Sequence, residues 1–436
     1  MNKIKKRPWA LLFLTGLVIR LIFSVQIYSG DVNNHVAWGK DILAFGPQGV
    51  YERSFEKYGV MTPTYPPIPL FLFTFFYWLF DAVYKIAWNL NLSIKAFPSG
   101  LIWFLQDQDT LPAFLKIPSI LSDLGIAWLV YLFGGKLLGK KASLWPKILA
   151  GLVLFNPAFF YNSAFWGQIE AIPIFFLLAS FYWLFFRKKE FLPVVFFSLA
   201  LLTKQTAIIF VPLFALGYWQ KFGLKKAFSG LLVFLLFFYL LFLPFFKQGN
   251  LLSFPFSTYW EKIQSGSGSD YVTDHAFNFW VLISGLGKIS DAKPFWLGIP
   301  FRAWGYLFFL IAMITIFGRL CFKKGKPKDF LFAAGLIPFA AFLFLTRMHE
   351  RYLQPVLPFL LLLVPKNKIY SFSFFFVSCF YLFNLYHNWW FGGNFFTKSL
   401  FSQTPVINFL IGAAIGVFGV LGLKYWQGEK KSEKFS

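Results

Sequence analysis

The sequence has little that reacts. Two cysteines, four methionines and four histidines occur in 436 residues, and 14% of the residues are charged. Cys321 adjoins a basic gap and Cys379 lies inside an apolar run, so a disulfide framework is not expected. The histidines, at 35, 275, 349 and 387, show no metal-ligand spacing with each other or with cysteine, so no metal and no cofactor is expected. A Gly-rich phosphate loop and a Ser nucleophile elbow are also missing. Acids are scarce, 18 against 41 Lys and Arg. So little charge excludes an ordinary soluble domain.

What is abundant is apolar surface. The chain is 58% hydrophobic and holds 64 Phe. Apolar runs of membrane-spanning length recur without period-2 alternation, which excludes a barrel and points to an all-α polytopic membrane protein. The net charge of +23 is not a nucleic-acid signature, because Lys and Arg fall in every second gap between apolar runs. These clusters are Lys3 to Arg7, Lys136 to Lys147, Arg187 to Lys189, Lys221 to Lys226, Arg319 to Lys328, Lys366 with Lys368, and Lys424 to Lys434. The pattern places both termini in the cytoplasm. The first apolar run follows a basic start but no small-residue cleavage site follows it, so it reads as a retained span.

About twelve crossings are expected, near 8–28, 115–134, 147–164, 168–186, 191–204, 206–220, 228–246, 297–320, 329–346, 351–365, 369–386 and 404–423. The fifth and sixth are short, as broken or tilted helices would be. One domain, 1–436, then carries a large outer loop near 29–114, a second near 247–296 and a short cytoplasmic tail, 424–436. Residues 66–90 are apolar enough to span, but parity favours interfacial or re-entrant helices there. Ser265 to Ser269 reads as a flexible piece. No internal repeat is evident, which weakens an inverted-repeat transporter.

The chemistry sits at outer helix ends, where an ionisable group is costly and therefore a functional candidate. Asp31 follows Gly30; its rival reading is a helix N-cap. Trp38 faces the same side and reads as a belt aromatic or a sugar platform. Tyr65-Pro66-Pro67 is a rigid helix entry whose tyrosine can bond a ligand. Arg20 and Asp123 share a depth of roughly 12 Å within their spans, which favours a structural bridge over catalysis. Gln168 and Glu170 form either a packed network or a substrate site. Lys204, next to Gln205, needs an anion, for which a phosphate is a candidate. Arg347, His349 and Arg351 make a second basic cluster around Glu350, suited to phosphate oxygens or to snorkelling at lipid headgroups.

In order, Gly30-Asp31 with Trp38, Tyr65-Pro66-Pro67, Ile117-Pro118-Ser119-Ile120-Leu121-Ser122-Asp123, Asn156-Pro157 with Asn162-Ser163 and Gly167-Gln168, Lys204-Gln205, Ala276-Phe277-Asn278-Phe279-Trp280 and His349-Glu350-Arg351 resemble GT-C fold glycosyltransferases that use polyprenyl-phosphate sugars. The nearest groups are bacterial proteins similar to GPI mannosyltransferases and the dolichyl-phosphate-glucose glucosyltransferases. The resemblance covers nearly the whole chain. It implies inverting transfer of a hexose, mannose before glucose, from a polyprenyl-phosphate donor to a lipid-linked or glycan acceptor on the extracytoplasmic face. It puts the general base on Asp31 and the donor phosphate near Lys204, His349 and Arg351. Trp38, Tyr65, Gln168, Glu170, Gln205 and Glu350 are expected to line the substrate site. The sequence departs from the glucosyltransferase pattern at Thr64, where that group has an acid, and from the bacterial pattern at Glu170, usually Asp. A lipid-linked-sugar flippase or transporter is the rival reading, which needs polar residues reaching both faces. A non-catalytic structural subunit is a third.

Overall fold

The structure, a computed structural model, describes residues 7–139, 144–265, 269–322, 325–389, 399–400 and 402–428. The tail 429–436 and most of the expected flexible piece Ser265 to Ser269 lie outside these residues. The described residues are helical, with only isolated bridges between extended segments. Fifteen helices of eight residues or more carry the fold. They are α1 Arg7–Ser24, α2 Gly30–Phe45, α3 Pro67–Ser93, α4 Ser99–Gln106, α5 Thr110–Leu138, α6 Trp145–Phe155, α7 Ala171–Phe186, α8 Phe191–Leu201, α9 Val211–Phe222, α10 Leu224–Phe242, α11 Phe254–Ser265, α12 Phe301–Phe322, α13 Pro327–Phe344, α14 Lys368–Asn388 and α15 Thr404–Gln427. Seven are long and apolar enough to cross a membrane, or eight segments if the bent pair at Asn156-Pro157 is one span. This chain is an all-α, multi-pass membrane protein.

Several of the twelve expected spans are not single helices. The stretch 147–164 bends by 47° at Asn156-Pro157, where the Asn156 side chain accepts from the Ala158 N–H and starts a new turn. The stretch 206–220 is a 3-10 helix, Gln205–Phe210, followed by α9. The stretch 351–365 divides into Glu350–Leu353, Val356–Leu361 and Val364–Lys366, with Pro355, Pro358 and Pro365 among these pieces. Apolar content alone counts such pieces as crossings. Broken backbone at membrane depth is stable only where protein covers it, and 351–365 is buried almost throughout, as is the turn Ala158–Trp166.

Where interfacial or re-entrant helices are expected at 66–90, one 27-residue helix follows the N-cap Pro66, long and apolar enough to cross a membrane. α3 packs along α2 and against Leu111, Phe114, Leu115 and Ile117 of α5. Gly39 lets the two helices meet: a Cβ there would stand 2.6 Å from the Phe73 carbonyl oxygen. The main core joins α5 through α9 to α13, α14 and α15. A second apolar cluster is built on α2, α3 and the end of α10, with Ile169, Ile172 and Leu202. The candidate site lies between the two.

Candidate functional site

α2 begins at Gly30, and its N-cap is Ser29, whose side chain makes no capping bond. Asp31 is therefore in the first turn, where a carboxylate suits the helix dipole, and it is not the N-cap. Its Oδ2 accepts from Gln168 Nε2 at 2.5 Å. No partner is described for Oδ1, and the residue is half-buried. Gln168 reaches it from a π-helical turn, Tyr161–Trp166, closed by Gly167 at φ +85°. Such turns re-aim side chains and recur at functional sites. A Cβ on Gly167 would sit 2.5 Å from Val32 Cγ2, so only glycine permits this approach. The Gln168 carbonyl accepts from Ser119 Oγ at 2.8 Å, which anchors the turn to α5.

Burial pushes the Asp31 carboxyl up, but Arg351, the Gln168 hydrogen bond, His35 and Lys204 outweigh it and hold the group below its ordinary value. His35, one turn along α2, stacks on Phe73 at 4.1 Å between ring centres. Burial drives its pKa down to about 4 despite the opposing charge of Asp31. It is neutral at neutral pH.

Behind Asp31 lies a buried ionic network. Glu170 Oε1 takes an ion pair from Lys204, at the end of α8, and a second from Arg351 Nε at 3.3 Å. Glu170 Oε2 accepts from Asn162 at 3.3 Å. Arg351 Nη1 also meets Glu350 Oε1 at 3.2 Å. No bond is described for Arg351 Nη2. Lys204 lies over the rings of Tyr65 and Tyr352, 5.7 and 5.2 Å from their centres. Arg351 lies over Trp166 and Tyr352. The anion expected for Lys204 is thus Glu170 itself, and a bound phosphate would have to share these cations with it.

The structure brings together Asp31, Gln168, Glu170, Lys204, Arg351, Glu350 and Tyr65. Trp38 is nearby but closed off: it is buried, donates to the Met61 carbonyl at 2.7 Å and packs edge-on against Tyr65. It supports Tyr65 rather than offering an open sugar platform. Gln205 is buried at the start of its 3-10 helix. His349 sits one ring away, 5.1 Å from Tyr352, with Nε2 3.5 Å from Asp274. Arg347 leaves the expected basic cluster altogether. At φ +61° it forks onto Asp291 at 2.7 and 3.0 Å and reaches Asp270 at 3.0 Å, clasping the segment 270–291. Arg20 and Asp123 meet at 3.0 Å, fully buried, with Ser163 donating to the same carboxylate oxygen.

Sequence reasoning passed over Gln354, Tyr352 and Tyr381. Gln354 Oε1 accepts from Asn162 at 2.7 Å and from Tyr381 at 3.4 Å, which locks the far side of the network. It also passed over Lys116, whose signal is a Lys one residue inside an apolar span.

An apolar cavity of about 150 Å³ opens beneath the network. Glu170, Lys204 and Tyr352 edge it, and Leu177, Phe210 and Ala341 are among its walls. Its lining is mostly apolar, with the charged pair Glu170 and Lys204 at one edge.

No family model matches this chain, and no curated protein matches it. Among solved structures, the crystal structure of ArnT from Cupriavidus metallidurans bound to undecaprenyl phosphate is similar, with a TM-score of 0.47 and 11% identity. The match covers 97% of this chain and 78% of that one. At this level the likeness carries no argument about the site, and the functional reading rests on the geometry above.

Proposed function

We propose that this chain is an inverting, GT-C type glycosyltransferase that moves a hexose from a polyprenyl-phosphate carrier to an acceptor hydroxyl on the extracytoplasmic face. The observation that carries the reading is the juxtaposition of a half-held carboxylate, a buried cation pair and an apolar cavity. Asp31 has one oxygen fixed by Gln168 and one without a described partner. Lys204 and Glu170 edge a cavity with largely apolar walls, and Arg351 pairs with the same Glu170.

In the proposed reaction, Asp31 Oδ1 takes the proton of the acceptor hydroxyl as the hydroxyl oxygen attacks the anomeric carbon. The carbon–oxygen bond to phosphate breaks on the opposite face, and its electron pair leaves with the polyprenyl phosphate. Arg351 Nη2 and Lys204 stabilise the charge that develops there. His349, the other residue that the resemblance puts near the donor phosphate, packs on Tyr352 with Nε2 3.5 Å from Asp274. A transporter would need polar groups continuing past this point, whereas the named walls of the cavity are apolar. Mannose is the sugar the sequence resemblance favours, with glucose the alternative.

The test is transfer by purified protein offered a panel of polyprenyl-phosphate sugars and an acceptor mixture. Labelled product with inverted anomeric configuration is expected from at least one donor. Absence of product from every donor, in protein that is folded and binds polyprenyl phosphate, would refute the assignment.

A further inference from the structure

Lys116 is 1% exposed, yet it pairs with no carboxylate among the described residues. Its ammonium donates three hydrogen bonds, all to backbone carbonyls: Ser24 at 2.8 Å, Ile27 at 2.5 Å and Phe165 at 3.0 Å. Three donors meet three acceptors, so the group is saturated. The acceptors are telling. Ser24 ends α1 and Ile27 lies in the link to α2, while Phe165 belongs to the π-helical turn. The Ser24 and Phe165 carbonyls lie at helix ends, where carbonyls lack intrahelical partners and carry partial negative charge, and one ammonium satisfies both together with the Ile27 carbonyl of the link.

The two segments thus tied are the ones that deliver Asp31 and Gln168. Asp31 is four residues beyond Ile27, and Gln168 is three beyond Phe165. The Ser29 N–H donates to the Trp166 carbonyl at 3.2 Å, a second link between the same segments. Lys116 also lies against Gly167, where its Cε would come within 3.1 Å of a Cβ. We infer that Lys116 is a positioning residue: it clamps the α1–α2 link to the π-helical turn and so sets the Asp31–Gln168 hydrogen bond. A clamp for one covalent path would need one contact; three contacts on two segments fix a relative placement.

The alternative is a merely structural cation, lost with stability alone. The two differ at Asp31. The groups that act on it are Gln168, Arg351, Lys204 and His35. Tyr65 and Glu170 complete the surround. Only the Gln168 contact depends on the clamp. Loosening it should weaken that bond and leave the charges in place.

The inference rests on the proposed role of Asp31, so its test includes a readout that needs no catalysis. Carbodiimide labels protonated carboxyls, and the pH midpoint of labelling at Asp31 can be followed by mass spectrometry. Lys116→Met and Lys116→Arg are compared with the unaltered protein, together with kcat, KM and the pH profile of transfer. Lys116→Met is expected to raise the labelling midpoint and to lower kcat at least about tenfold with KM little changed. Lys116→Arg, which keeps the charge and donors, should recover part of both. A folded Lys116→Met with an unchanged midpoint and kcat overturns the inference. If Lys116→Met does not fold, Lys116→Gln and the Arg variant carry the same comparison, and unchanged midpoints in both are equally decisive against it. If no donor supports transfer, the function assignment falls, and the labelling midpoint still decides the role of Lys116.

Discussion

At the scale of single residues, the site is a balance of charges that cannot be separated cheaply. Glu170 holds two buried cations, and removing its charge leaves Lys204 without its ion pair, while Arg351 keeps Glu350. Orphaning a buried charge costs about 3–5 kcal/mol. Glu170→Ala is accordingly expected to lower the thermal midpoint sharply in detergent, and Glu170→Asp to lower it much less. Equal midpoints for Glu170→Ala and the unaltered protein would remove the network from the account. Arg351 differs from Asp31 in kind. In the proposed role it meets phosphate in the ground state as well as the transition state, so Arg351→Ala should weaken donor affinity along with turnover. A donor titration showing unchanged affinity would contradict that role. Asp31 stays ionised below the ordinary carboxylate range. As a base it should therefore remain competent through mildly acidic pH, with the acid limb of kcat/KM falling below the usual value for Asp. A limb near neutrality would assign the base elsewhere.

At the scale of elements, α2 and the π-helical turn decide what the site can do. His35 is buried neutral in α2 with a pKa near 4, while an unfolded His titrates near 6.5. Between those values the unfolded chain binds more protons, so stability falls as pH drops from about 6.5 toward about 4. His35→Gln should flatten that decline in thermal midpoint; an unchanged pH dependence would show that His35 does not titrate on unfolding. Legibility also varied by element. Asp31, Lys204, Glu170 and Arg351 were visible because a charge at a helix end in lipid is costly and stands out in apolar sequence. Some of their partners were not. Asn162 stood only in a motif with no partner assigned, and Gln354 and Tyr381 were passed over; the three are neutral and scattered over more than 200 residues, and nothing in an apolar run marks which polar residue will face which. Arg347 looked like a member of the basic cluster because it is two residues from His349. Its positive φ turns it to Asp291 instead, a backbone fact that residue spacing does not carry.

At the scale of the whole molecule, the all-α membrane character followed from composition, but the twelve expected crossings did not emerge as twelve helices. Proline-broken segments such as 351–365 satisfy an apolar window while forming short pieces around the site. The Arg20–Asp123 pair ties α1 to α5 across 103 residues of sequence. Either single neutralisation should destabilise by about 3–5 kcal/mol, and the charge-swapped double variant should recover part of the loss. Stable single variants with no recovery would make the pair incidental. The central claim, base-assisted transfer at Asp31, is tested most directly by single-turnover transfer in Asp31→Asn with donor affinity measured in parallel. The account predicts normal folding and donor binding with transfer slowed by at least about 10²-fold, the lower range for a lost general base. Near-normal transfer at saturating donor and acceptor would contradict it.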